Sequence, residues 1–281
     1  MLGLKPSLST IDDIKRVARQ RKKELKLKHT DALNQAAREV GFENFRHAVN
    51  KCKSDGQFMP PSEASLLPKF QIRLTQYWTD RETRFRGRES LEISLSKPLN
   101  QLISFERLRL IRGFASVLPM SDLEYQLDFI THSQGNAQST LLACSRILSF
   151  MDATGLLPSS GFRKAYPARH WHVPSQDHAT YWFDPKTRRY LIADEPYQRE
   201  FSAELQKREE WLTTHGYVMQ TPTWLGMYNP YMDETNGSRL HLISHAERGV
   251  NLAQVVSALN GLKVPVGDKG WTGISGKSTR I

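Results

Sequence analysis

The chain is expected to be α+β: a small basic three-helix module followed by a larger α+β domain with a mostly antiparallel sheet. Three observations lead there. Apolar residues recur at helical spacing over residues 10–52 and alternate with polar ones in several segments after residue 70. Between these regions lies SDGQFMPPSEASLLPK, residues 54–69, where Pro60, Pro61 and Pro68 stand among small polar residues as a linker would. Beyond it, strand pairs joined by turns are mixed with helices and no internal repeat occurs, which favours hairpins over a regular βαβ series. The expected organisation is a helical module at 1–53, the linker at 54–69, an α+β domain at 70–262 and a basic, flexible tail at 263–281.

In the module, Thr10 is a candidate N-cap with Asp13 three positions on, as in a capping box. Ile11, Ile14, Val17, Ala18 and Leu25 then share one helical face, while Lys15, Arg16, Arg19, Lys22, Lys23 and Lys26 cover much of the remainder. Thr30 is placed to cap a second helix with Leu33, Ala36, Ala37 and Val40 inward, and Gly41 to end it. Phe42, Phe45, Ala48, Val49 and Cys52 supply a third helix and close a small core.

In the larger domain, FQIRLTQYWT and RFRGRESLEISLS alternate as two strands joined near Asp80–Thr83. Residues 99–117 are helical in part, 123–133 alternate as a strand, and 136–155 form a long helix ending at Gly155. HATYWF and RRYLIAD make a hairpin around Asp184-Pro185-Lys186-Thr187. A helix over about 202–215 stops at Gly216, YVMQTPTW and RLHLISHA return as strands, and NLAQVVSALNG closes the domain as a helix.

The ending GWTGISGKSTRI contains Gly276-Lys277-Ser278, the close of a phosphate-binding loop. Such a loop needs a glycine where Trp271 stands and a helix after the serine, so this reads instead as a frayed Gly/Ser/Lys-rich tail.

The net charge of +10 lies in the two ends. Residues 1–53 carry 13 Lys/Arg against 6 Asp/Glu, and residues 263–281 carry 4 against 1, which leaves 22 of each in 54–262. Charge segregated in this way suits contact with a polyanion. Two cysteines in 281 residues argue against a disulfide framework. No apolar run approaches membrane-span length, and the N-terminal residues lack the pattern of a signal peptide. A cytoplasmic protein with no membrane partner is the expectation.

Ala37-x-x-x-Gly41 sits where a helix-turn-helix places its turn, and a following recognition helix could offer Glu43, Asn44, Arg46, His47, Asn50 and Lys51. His47 stands where such a motif carries an aliphatic residue, so phosphate contact through Lys15, Arg16, Arg19, Lys22, Lys23 and Lys26 is favoured over base readout. The cadence carried by Thr30, Ala32, Leu33, Ala37, Gly41, Phe42, Asn44 and Phe45 resembles a short helical module at the N-termini of bacterial proteins. These include glyoxalase-related proteins and others associated with plasmids and integrative elements. The resemblance covers about residues 10–52, implies a bacterial, mobile-element-associated family and brings no activity with it. Residues 54–281 show no repeated metal-binding half of the kind a glyoxalase builds, so that activity is not carried over.

The resulting expectation is a binding or accessory protein acting on nucleic acid, with no cofactor. A protein-docking adaptor is one alternative, with residues 223–237 as an irregular, apolar, partly exposed contact loop. A metal-dependent hydrolase or nuclease is the other. His170 and His172 would fall on one face of an extended segment, with His178 near and Asp194 or Glu195 adding a carboxylate. Against this, neither HExxH nor a cysteine pair occurs. Cys144 and Cys52 read as core thiols, and no GxSxG elbow is present.

Overall fold

The computed structural model describes residues 70–262 except Arg112, 168–171 and 231–236, and again 270–280; before residue 70 it describes 15, 17–19, 22, 27–39 and 44–46. The chain forms two compact units, Met1–Leu66 and Leu67–Ile281. The expected linker, 54–69, lies outside the described residues.

In the first unit helix α1 runs His29–Glu39, beginning one residue ahead of the expected cap Thr30. Ala18, Ala32, Ala36 and Ala37 are buried together, with Val17, Leu27, Leu33 and Phe45 packed against them. The Asn34 side chain accepts the Phe45 backbone N–H at 3.1 Å.

The second unit begins with strands β1 (Phe70–Asp80) and β2 (Phe85–Leu95), followed by the short helices α2 (Leu99–Leu102) and α3 (Phe105–Leu108). Strands β3 (Val117–Pro119) and β4 (Glu124–Thr131) lead into the long helix α4, Gln134–Thr154. Then come β5 (Leu157–Pro158), α5 (Phe162–Ala165), β6 (Thr180–Asp184), β7 (Arg189–Asp194) and helix α6, Gln198–His215. Strands β8 (Tyr217–Gln220) and β9 (His241–His245), helix α7 (Leu252–Asn260) and strand β10 (Ile274–Arg280) complete it. The fold is α+β, as the periodicities indicate. Among the described residues no helix is long and apolar enough to cross a membrane.

The strands form two sheets rather than one. The first has the order β10-β2-β1-β4-β3, antiparallel except for the parallel β1–β4 pair. The second is wholly antiparallel in the order β5-β6-β7-β9-β8. Helix α4 explains how one core serves both. Its buried residues Leu141, Leu142, Cys144, Leu148, Phe150 and Met151 point in many directions, as on a helix enclosed on all sides. Its Phe150 ring meets Trp182 of the second sheet at 4.6 Å and Trp224 at 6.3 Å, while the helix backbone lies over β1 and β2.

Strand β7 alternates between two cores. Leu191 and Ala193 face the shared core, and Ile192 faces a smaller one with Leu212 of α6 and Tyr217. Both faces of this sheet are therefore covered, and β9 is buried at every residue, whereas the outer face of the first sheet is solvated.

The expected frayed tail is corrected here: residues 274–280 are an edge strand paired antiparallel with β2. Gly87 lets it approach, since a Cβ there would lie 2.6 Å from the Gly276 carbonyl oxygen. The described part of the loop at 223–237 is irregular and partly exposed, as expected, with Thr223 exposed and 228–230 half-buried. Trp224 and Met227 are buried, and Thr223 donates from its backbone N–H to Asn260 at 2.7 Å, so the 223–230 part is anchored to the core. Residues 231–236 lie outside the described residues.

Candidate nucleic-acid interface

The site begins with the β1–β2 hairpin. Asp80 closes the turn by accepting the backbone N–H groups of Glu82 (2.9 Å) and Thr83 (3.1 Å), and these bonds hold its carboxyl below the usual carboxylate range. The turn exposes Arg81 and Arg84, the latter in the left-handed region at φ 57°. In β2, Gly87 and Glu89 face the core, so Arg86 and Arg88 both face outward on the solvated side. Register places Arg86 opposite Thr79 and Arg88 opposite Tyr77 on one side, with Ser278 and Gly276 of β10 on the other. The same pairing brings Lys277 opposite Gly87 and Arg280 opposite Phe85.

Six cations lie at this end of the first sheet but are divided between its faces: Arg86 and Arg88 on the solvated face, Lys277 and Arg280, paired with Gly87 and Phe85, on the other, and Arg81 and Arg84 in the turn. Among the described residues none of them has a carboxylate within 4 Å, and all six are exposed. An exposed aromatic stands on each face, Phe85 with Lys277 and Tyr77 with Arg88. Lys277 Nζ lies 5.3 Å from the Phe85 ring, and Tyr77 pairs with Arg88 across the strands. The opposite end of the solvated face is neutralised, because Arg73 bridges Glu92 (2.8 Å) and Glu124 (3.1 Å). The positive charge is therefore localised, although residues 54–262 balance overall.

What anchors this edge is a buried carboxylate. Glu89 accepts from Trp78 Nε1 (3.2 Å), Gln134 Nε2 (3.0 Å), Gln138 Nε2 (3.1 Å) and Ser275 Oγ (2.6 Å). Four donors compensate its burial without any cation.

The residues expected from the sequence are distributed as follows. Lys15, Arg19 and Lys22 lie exposed on helical residues of the first unit, and Arg46 is exposed while Asn44 is half-buried. Arg16, Lys23, Lys26, His47 and Lys51 lie outside the described residues, as does His170. His172 is exposed. His178, at φ 50°, stacks on Tyr228 with ring centroids 3.7 Å apart and meets the Tyr197 ring edge-on. Among the described residues no group of three or more His, Cys, Asp or Glu is placed to hold a metal ion.

Asp194 and Glu195, the carboxylates considered for such a site, are both buried and serve the fold. Asp194 pairs with Arg208 and accepts the Asp177 backbone N–H at 3.0 Å. Burial raises its carboxyl to about 7 against the pull of Arg208. Glu195 accepts the backbone N–H groups of Met227 (2.8 Å) and Tyr228 (2.9 Å), and burial pushes it to about 7 as well. Gly226, at φ 137°, has no Cβ to strike that carboxylate. Arg146 completes the arrangement by donating from Nε to the Met227 carbonyl at 3.0 Å.

Two further histidines are structural. His241 stacks on Phe201 at 4.0 Å and bonds Thr221 through Nδ1 at 2.7 Å, and burial lowers its pKa to about 3. His245 accepts the Arg248 backbone N–H at 3.2 Å. Cys144 is a core thiol pushed up to about 12 by burial, as its helix position indicates.

The chain matches no family model, no curated protein and no solved structure. Function must therefore be argued from the geometry.

Proposed function

We propose that the protein binds nucleic acid, gripping phosphates with the cations of the hairpin edge and with the basic helices of the N-terminal unit. The observation that supports this most directly is the grouping of Arg81 and Arg84 in the turn with Arg86 and Arg88 on the solvated face, without acidic partners among the described residues. A guanidinium paired with a carboxylate is already neutralised; a like-charged cluster repels itself, lowers stability and gains when an anion arrives. Arg86 and Arg88 are two residues apart on one strand, roughly 6.6 Å along it, a separation suited to neighbouring phosphates of an extended strand.

The exposed ring of Tyr77 beside Arg88 favours an unpaired strand, whose bases can stack while the backbone is held. The phosphate contacts carry no base identity, so binding is expected to be tolerant of sequence. Lys15, Arg19 and Lys22 of the first unit add further phosphate contacts of the same kind.

Photo-crosslinking of the full chain to a bromouracil-substituted single strand tests the assignment. Crosslinks are expected on peptides that carry Tyr77. Crosslinks confined to peptides far from the hairpin edge would remove this surface from the proposal.

A further inference from the structure

A second feature lies elsewhere in the same unit, in a cavity of about 350 Å³ open to solvent. Its base is the β6–β7 hairpin, where Phe183 and Tyr190 pair across the strands with ring centroids 4.9 Å apart. Its walls carry three cations from three different segments: Arg107 from α3, Lys164 from α5 and Arg188 from the hairpin turn. Each of the first two lies beside an aromatic face. The Arg107 guanidinium carbon is 5.8 Å from the Phe183 ring centre, and Lys164 Nζ is 5.7 Å from that of Tyr190.

The electrostatic balance of this cavity is one-sided. Among the described residues no carboxylate lines it. Two stand next in sequence to lining residues: Glu106, which bonds the Ser104 side chain and faces Arg109, and Asp184, which accepts from the Lys186 backbone N–H (2.9 Å) and the Thr187 hydroxyl (2.6 Å) in its own turn. Arg188 holds a left-handed backbone conformation at φ 59°, unusual for a residue with a side chain, and stands at the rim. Ser159 Oγ accepts the Gly161 backbone N–H at 3.1 Å, which leaves its own hydroxyl hydrogen available to a ligand.

We infer that this cavity is a binding site for a nucleoside phosphate, with the ring against Phe183 and Tyr190 and the phosphate among Arg107, Lys164 and Arg188. Three cations without a carboxylate call for a multiply charged anion, and a paired aromatic floor calls for a flat, polarisable group on the same molecule. Inorganic phosphate satisfies only the first requirement and a bare nucleoside only the second. The volume is at the small end for ligand sites and accommodates one nucleotide unit rather than two. Such a unit exists either free or as the phosphorylated terminus of a strand, and both present the same groups. The inference does not depend on the hairpin edge, because the two surfaces share no residue.

Isothermal titration of the full chain with AMP, adenosine and inorganic phosphate tests this. AMP is expected to bind at least about tenfold more tightly than either of the other two, the equivalent of about 1.4 kcal/mol. The pair Arg107→Gln and Arg188→Gln should weaken AMP by about tenfold or more while leaving the circular dichroism spectrum unchanged, both side chains being exposed. The pair Arg86→Gln and Arg88→Gln should leave AMP binding intact, whatever becomes of polymer binding.

Competition by an oligonucleotide with a 5′ phosphate, and not by its 5′ hydroxyl counterpart, would extend the site to strand termini. Absence of competition would restrict it to the free nucleotide, and both results support the assignment. AMP binding no tighter than phosphate, no AMP binding at all, or AMP binding unaffected by the Arg107/Arg188 pair would each overturn it.

Discussion

Ser275, in the edge strand β10, donates a 2.6 Å hydrogen bond to Oε2 of Glu89, a carboxylate fully buried between the first sheet and helix α4. This one contact couples the last strand to the interior, and with it the positions of Lys277 and Arg280. Hydrogen bonds to a charged acceptor contribute about 1.5–3 kcal/mol. Ser275→Ala should therefore lower stability by about that amount in urea denaturation. Glu89→Gln should cost more, because its amide would turn a donor toward groups that are themselves donors. Equal stability of the Glu89→Gln variant and the wild type would show that the four donors do not need a carboxylate.

Gly87 gives a second test of the same edge. A methyl group there meets the Gly276 carbonyl and the Trp78 ring, so Gly87→Ala should push β10 off the sheet. Overpacking of this kind costs about 1–3 kcal/mol. Hydrogen exchange of the amides of 274–280 should accelerate selectively. Protection retained over 274–280 in this variant would contradict the described pairing.

The Asp194–Arg208 pair is buried on both sides. Removing one partner of such a pair leaves an uncompensated buried charge and costs about 3–5 kcal/mol. Asp194→Asn should thus be among the more damaging single substitutions in the second unit. The double change Asp194→Leu with Arg208→Met should recover part of the loss, and chemical denaturation of the three proteins reads this directly.

Glu195 predicts a pH dependence with a definite sign. Burial raises its carboxyl from 4.5 to about 7, so the folded state binds more protons than the unfolded state between those values. Its contribution is fully present below about pH 4.5 and is lost as pH rises toward 7. His241 acts in the opposite sense. Its lowered pKa removes stability as pH falls from 6.5 toward 3. The Glu195 effect is therefore read as a difference: relative to wild type, Glu195→Gln should gain stability steadily as pH rises from 4.5 to 7. A difference that does not vary with pH in that window would mean that Glu195 is ionised throughout.

Much of this architecture is visible in the residues. The alternation of FQIRLTQYWT and RFRGRESLEISLS specifies the hairpin, and Gly155 and Gly216 mark the helix ends where the structure has them. Arg86 and Arg88 can also be read as outward-facing from their spacing alone. Their meaning cannot, because it depends on which strand lies beside them. Residues 274–280 carry little intrinsic strand preference; they are a strand because Gly87 leaves room for them and Glu89 holds Ser275.

The division into two sheets was hidden for a related reason. Periodicity identifies strands and their buried faces, yet Leu191 and Ile192 look alike in sequence while facing different cores. Asp194 and Glu195 likewise suggested ligands at a strand end. Only the tertiary fold supplies Arg208 and the 227–228 amides that occupy them.

The account rests most heavily on the hairpin edge, and salt-dependent binding addresses it most directly. Fluorescence anisotropy of a labelled single-stranded oligonucleotide would be followed across a salt series for the full chain and for the Arg86→Gln, Arg88→Gln double variant. The account predicts linear dependence of log affinity on log salt for the full chain. For the variant the slope should be shallower by about 1.4, two phosphate contacts at about 0.7 each. An unchanged slope and affinity in a variant with wild-type circular dichroism would contradict the account.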